Sequence, residues 1–253
     1  MTVTIAVTGK GGVGKTAISA VLVDFLSNKG IVLAVDADPS TNLNDALGVD
    51  LPSTVGKTRE RMASDIKGGR IAMDASKQDI LDARIHESLV ETPRFDLLAM
   101  GRPEGPGCYC AANHMIRFSI DKLAKNYDYV VMDCEAGLEH ISRQTTQDID
   151  FLLAVTDASM RGLNTAKRLQ QLIGEMRTSV KAGIFLVVNR LKNGIPPLIE
   201  EEIRKSGLVL VATIPEDYEI TDLDIKGEPL TRLPLDSKFR RSVQEMLFKL
   251  KIR

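Results

Sequence analysis

The segment Gly9-Lys10-Gly11-Gly12-Val13-Gly14-Lys15-Thr16 has the residue types and spacing of a phosphate grip. Gly9, Gly11, Gly12 and Gly14 let the backbone curl until successive N–H groups point into one concavity. An anion held there, between Val13 and Ala17, faces the positive end of the helix that follows. The pattern Gly-x-x-x-x-Gly-Lys-Thr puts Lys15 within reach of β- and γ-phosphates and the Thr16 hydroxyl on Mg²⁺. The chemistry expected of it is phosphoryl transfer from a nucleoside triphosphate.

Further candidates end apolar runs. Val35-Asp36-Ala37-Asp38-Pro39 and Val130-Val131-Met132-Asp133 both place carboxylates at strand C-termini, where such sheets open their ligand crevice. Val130 to Asp133 resembles a Walker-B strand end, which implies that Asp133 holds Mg²⁺ through water. Cys134-Glu135-Ala136-Gly137 follows it and resembles the second switch of such enzymes, which implies a Gly137 able to swing toward a γ-phosphate. One such aspartate alone says little, because strand ends often carry helix caps. The set, in this order, says much more.

Gly105-Pro106-Gly107-Cys108-Tyr109-Cys110 sets two thiols one residue apart in a Gly/Pro-bounded loop. Such a pair can chelate a soft or borderline metal, but two thiolates do not complete a tetrahedral or square-planar site. Two chains meeting about a two-fold axis would close it with four. Two buried thiols, or a redox pair, are the other readings of Cys108 and Cys110.

Lys10 adds a resemblance. Lys-Gly-Gly-Val-Gly-Lys-Thr resembles the deviant P-loop family of MinD, ParA and nitrogenase iron protein, whose extra lysine crosses a dimer interface to the partner's nucleotide. That resemblance implies an ATP-linked homodimer, catalytic roles for Lys10, Lys15, Asp38 and Asp133, an Asp38 that orients the attacking water, and an Asp36 that supports the magnesium shell. Val187-Val188-Asn189 resembles the base-reading strand end, with Asn189 near the purine. Guanine-specific sites carry an aspartate three residues later; Lys192 stands there, with no acceptor to offer, so ATP is favoured. Pro215 is expected to complete the base pocket.

Together with the Cys-x-Cys loop, Asp36-Ala37-Asp38-Pro39 and Asp133-Cys134-Glu135-Ala136-Gly137-Leu138-Glu139-His140 resemble the nickel-insertion ATPases of the CooC and AcsF groups. What this implies is a metallochaperone that bridges Ni²⁺ or Zn²⁺ through Cys108 and Cys110 of both chains. Its client would be carbon monoxide dehydrogenase or acetyl-CoA synthase. A positioning ATPase of the MinD/ParA kind and an iron–sulfur reductase like nitrogenase iron protein remain as alternatives. The reductase is disfavoured by the adjacency of the two cysteines, since its cluster ligands lie on separate loops.

These residues need a scaffold. Val3–Val7, Ile31–Val35, Phe95–Met100, Tyr129–Asp133, Phe151–Val155, Ile184–Val188 and Leu208–Ala212 are mostly continuous apolar runs, the mark of strands buried on both faces. Helical spacing in Ala17–Lys29, Asn113–Lys125, Gly162–Met176 and Pro197–Ser206 separates them. Strand then helix, repeated, predicts an α/β fold: one P-loop NTPase domain over 1–253 with a mostly parallel sheet flanked by helices on both faces. The stretch 57–92, charged and helical in pattern, is expected to be an insertion at the sheet edge without a strong strand.

The bulk composition removes other classes. Lys and Arg total 33 against 34 Asp and Glu, a net charge of -1, so no overall field draws the chain to nucleic acid. Three cysteines cannot frame a disulfide scaffold, which fits a cytoplasmic location. Ser237–Arg253 gathers Phe239, Val243, Met246, Leu247, Leu250 and Ile252 on one face and basic residues elsewhere. Such a helix can lie on an anionic membrane or pack on the sheet. Packing is the expectation, with no membrane partner.

Overall fold

Apolar residues on both sides of a strand must be covered on both sides, and the chain meets that demand with helices. In the computed structural model, which describes residues 1–70, 76–102, 110–135, 148–175 and 179–252, the strands are β1 (Val3–Gly9), β2 (Val32–Asp36), β3 (Val90–Glu91), β4 (Asp96–Ala99), β5 (Tyr129–Asp133), β6 (Asp148–Asp157), β7 (Ser179–Leu191) and β8 (Val209–Pro215). They form one sheet in the order β3-β4-β2-β5-β1-β6-β7-β8. Every pairing is parallel except β3 with β4.

From β1 the chain first builds outward on the β5, β2 and β4 side, then crosses to β6, β7 and β8. The strand order therefore reverses at β1, and a crevice is expected at its carboxyl end.

The helices are α1 (Lys15–Leu26), α2 (Leu43–Leu47), α3 (Val55–Lys67), α4 (Lys77–Glu87), α5 (Cys110–Ala124), α6 (Met160–Glu175), α7 (Pro197–Ser206), α8 (Tyr218–Lys226) and α9 (Lys238–Lys249). Strand side chains alternate between two apolar layers. Ile5, Val7, Val131 and Val187 pack with Ile18 of α1, Leu223 of α8 and Val243 of α9. Ala6, Val130, Met132 and Val188 face the other way, with Met62 of α3, Leu81 of α4, Ile120 of α5, Leu163 of α6 and Ile199 of α7. None of the described helices is long and apolar enough to cross a membrane.

The sequence reading differs from this in two places, and its expectation that the C-terminal helix packs on the core holds. The 57–92 stretch is mainly α3 and α4, but it also holds β3, two residues that pair antiparallel with β4. Burial of Val55, Met62, Leu81 and Ile85 makes α3 and α4 a cover for one sheet face. β6 and β7 run well beyond the apolar runs that announced them, because polar residues at both ends continue the ladder, Asp148 paired with Ser179 and Asp157 with Asn189. The C-terminal amphipathic helix packs: Phe239, Val243, Met246 and Leu247 are buried in the core beside α1. Its apolar face is thus already covered.

Candidate functional site

β1 delivers the chain into the phosphate loop, and two glycines there are sterically required. Gly9 has φ 146°, and a Cβ at that position would stand 2.0 Å from the Val155 carbonyl oxygen of β6. Gly14, at φ 91°, has the Asn189 amide nitrogen 2.6 Å from where its Cβ would be. Nothing approaches within 4 Å of the same point at Gly11 or Gly12, so the middle of the loop is open. Backbone curl and open space together are what a phosphate cradle needs.

α1 carries Lys15 and Thr16 in its first turn. Lys15 is buried, and its Nζ donates to the Lys10 carbonyl oxygen at 3.3 Å. The Thr16 hydroxyl donates to Asp133 Oδ2 at 2.6 Å, and Ser19, one turn further on, donates to Oδ1 at 3.2 Å. Burial pushes the Asp133 carboxyl up to about 6, against the pull of the Thr16 hydroxyl and the Lys15 charge. A hydroxyl and a carboxylate, both hard oxygen donors, at the mouth of a phosphate loop fit Mg²⁺, which takes few protein ligands and completes its shell from phosphate and water.

Asp36 lies beside Asp133 on the next strand. Its Oδ1 accepts from the Asp38 N–H at 3.0 Å and its Oδ2 from the Leu43 N–H at 2.9 Å. Burial raises this carboxyl to about 7; the two N–H donors oppose the shift and the neighbouring Asp133 charge adds to it. The carboxylate therefore shapes the 36–43 loop. Asp38, held in that loop, accepts from the Ser40 N–H at 2.8 Å and lines the cleft.

Lys10 does not point away into solvent. Its Nζ lies 3.4 Å from Asp157 Oδ2 at the end of β6, and both side chains are more than a third exposed. Asn189, only 2% exposed, donates to the Val13 carbonyl at 2.8 Å and accepts from the Arg190 N–H at 2.8 Å. It therefore ties β7 to the phosphate loop, while still lining the cleft with Pro215. The cleft has a volume of about 1110 Å³ and runs from Gly11, Gly12 and Lys15 to Pro215, Glu216 and α8.

Of the residues expected from sequence, the structure gathers the phosphate loop, Ala17, Asp38, Asn189 and Pro215 around one cleft, with Asp36 and Asp133 beneath it. Cys108 and Gly137 lie outside the described residues. Cys110 opens α5, and its side chain is not described. Cys134 is fully buried, and burial pushes its thiol well up, as suits a packing residue. Ser19 and Asp157 were missed. Ser19 was findable, since three residues after Thr16 it falls on the same side of a helix.

The AAA domain family profile matches residues 1–185. An uncharacterized ATP-binding protein of Methanocaldococcus jannaschii is 46% identical over 97% of both chains. The carbon monoxide dehydrogenase accessory protein CooC of Rhodospirillum rubrum is 35% identical, over 88% of this chain and 87% of its own. Among solved structures, the septum site-determining protein MinD of Pyrococcus horikoshii, complexed with Mg-ADP, shares the fold. It has a TM-score of 0.69 at 22% identity, over 100% of this chain and 97% of that one.

Proposed function

Since this chain belongs to the MinD/ParA family of P-loop ATPases, we propose that it hydrolyses ATP as a homodimer to drive delivery of nickel to a metalloenzyme. The observation that carries the hydrolytic part is the Thr16–Asp133 contact of 2.6 Å beside the buried Lys15. Lys15 and the loop N–H groups neutralise the β- and γ-phosphates, and Asp38 orients the attacking water. Thr16 would ligate Mg²⁺ directly and Asp133 through water, and the bound ion would supply charge withdrawal from the transferred phosphoryl group. Lys10 leaves Asp157 and reaches the partner's nucleotide when two chains meet.

The delivery part rests on the cysteine pair and on the relative whose name ties it to carbon monoxide dehydrogenase. Cys108 and Cys110 of both chains supply four sulfurs to one Ni²⁺ or Zn²⁺, the cargo. The client is carbon monoxide dehydrogenase or acetyl-CoA synthase, in the cytoplasm. The positioning alternative gains nothing from α9, whose apolar face is committed to the core.

Native mass measurement tests both parts. With nickel or zinc and ATP, the wild type is expected to form dimers with one ion per two chains, and Cys108→Ala/Cys110→Ala to lose that ion. A double variant that keeps the ion, or a wild type that stays monomeric with every ligand, would remove the delivery reading. ATP hydrolysis by the wild type tests the rest.

A further inference from the structure

The far end of the cleft is walled by two helices, and one carboxylate caps them both. Asp217 stands at the N-cap of α8, where its Oδ1 accepts from the Glu219 N–H at 3.1 Å. Its Oδ2 accepts from the Ser237 hydroxyl at 2.9 Å and from the Phe239 N–H at 3.1 Å. Ser237 is itself the N-cap of α9, accepting from the Arg240 N–H at 3.2 Å, and is only 3% exposed. A single negative charge thus serves the positive ends of two helices, which favours it electrostatically as well as by hydrogen bonding. Burial opposes ionisation of Asp217, yet the Phe239 N–H, the Ser237 hydroxyl and the Glu219 N–H outweigh it, and its carboxyl lies below the usual range.

The two helices it joins both line the cleft. Asp217 itself, Ile220, Thr221 and Asp224 of α8 and Phe239 of α9 line the cleft, next to Pro215 and Glu216 at the end of β8. The phosphate loop occupies the opposite end, built on β1 and α1. The cleft therefore divides into two parts with separate tasks: the loop holds phosphates, and the α8–α9 wall meets what is attached to them.

We propose that Asp217 is a positioning residue for the nucleoside, clamping α8 to α9 so that the wall accepts the base. This rests on the ATPase reading. It adds that affinity for the nucleoside part is set outside the phosphate loop, by a residue that shapes the wall through the two helices it caps.

Equilibrium binding of ATP and of inorganic tripolyphosphate, which has no base, tests it on the full chain with Mg²⁺ present. Asp217→Ala is expected to weaken ATP binding about tenfold while tripolyphosphate stays within about twofold. Ser237→Ala, which removes one arm of the clamp and leaves the α8 cap, should shift ATP binding in the same direction by less. Thermal unfolding beside each assay confirms that folded protein is compared. Equal losses for both ligands in Asp217→Ala and Ser237→Ala, or no loss for either, would overturn the proposal. So would a wild type that binds ATP no tighter than tripolyphosphate. Turnover is not needed here, so a chain that binds but does not hydrolyse fails the ATPase reading alone.

Discussion

Thr16 and Asp133 touch at 2.6 Å across two elements that are 117 positions apart in sequence, and Ser19 buttresses the same carboxylate. Thr16→Ala and Asp133→Asn should each cut phosphate release by about 100-fold or more, the usual loss when a group that organises transition-state charge is removed. Beside them, Asp36 gives a pH signature. Its carboxyl sits at about 7 in the folded protein against an ordinary 3.8, so the folded state holds a proton that the unfolded chain releases. That contribution is complete below about pH 4 and is lost as pH rises to about 7. Asp133, raised to about 6, acts in the same sense over a narrower window. In thermal melts without nucleotide, the stability of wild type relative to Asp36→Asn should fall from pH 5 to pH 8. The phosphate loop was legible in sequence because its residues are contiguous and each has one chemical use. Asp217 was not, because its meaning depends on Ser237 and Phe239 arriving from twenty positions away.

Elements place these residues, and the joint between β7 and the phosphate loop shows how. Asn189 closes that joint by donating to the Val13 carbonyl, with no space for a larger residue at Gly14. Asn189→Ala should leave that carbonyl without its partner and weaken ATP binding about tenfold, measured by titration with a fluorescent analogue. The sequence marked Asn189 as a base reader, since its place at a strand end is the same for either role. Long elements were readable from apolar runs, and Pro197–Ser206 matches α7 because a proline starts it and Gly207 ends it. The five-residue α2 left no periodic trace, being too short to repeat. β3 escaped because two residues at a sheet edge need only one neighbour.

At the scale of the whole molecule, α9 holds the chain together. Asp24, near the end of α1 and 3% exposed, pairs with Arg94 from the β3–β4 turn at 2.8 Å and with Arg240 of α9. Met246 of α9 is fully buried. Met246→Ala should cost about 3 kcal/mol in urea unfolding, as expected for a cavity in a packed core. The same burial predicts no ATP-dependent sedimentation with anionic liposomes, the measurement that would separate this chain from a membrane-bound positioning ATPase. Sequence alone offered α9 two partners, lipid or sheet, because an amphipathic pattern does not say what covers it. Beneath the cleft, Asp36 and Asp133 are direct neighbours in the parallel ladder, with Val7 paired to Asp133 on its other side. Strand side chains alternate, so the two carboxylates share a face by counting alone. One residue added to β2 or β5 would turn its acid into the oily layer under α3–α7 while leaving every motif readable. Spacing along those strands is therefore as much a part of the site as the acids, and a relative that keeps the letters but not the count should have no ATP chemistry.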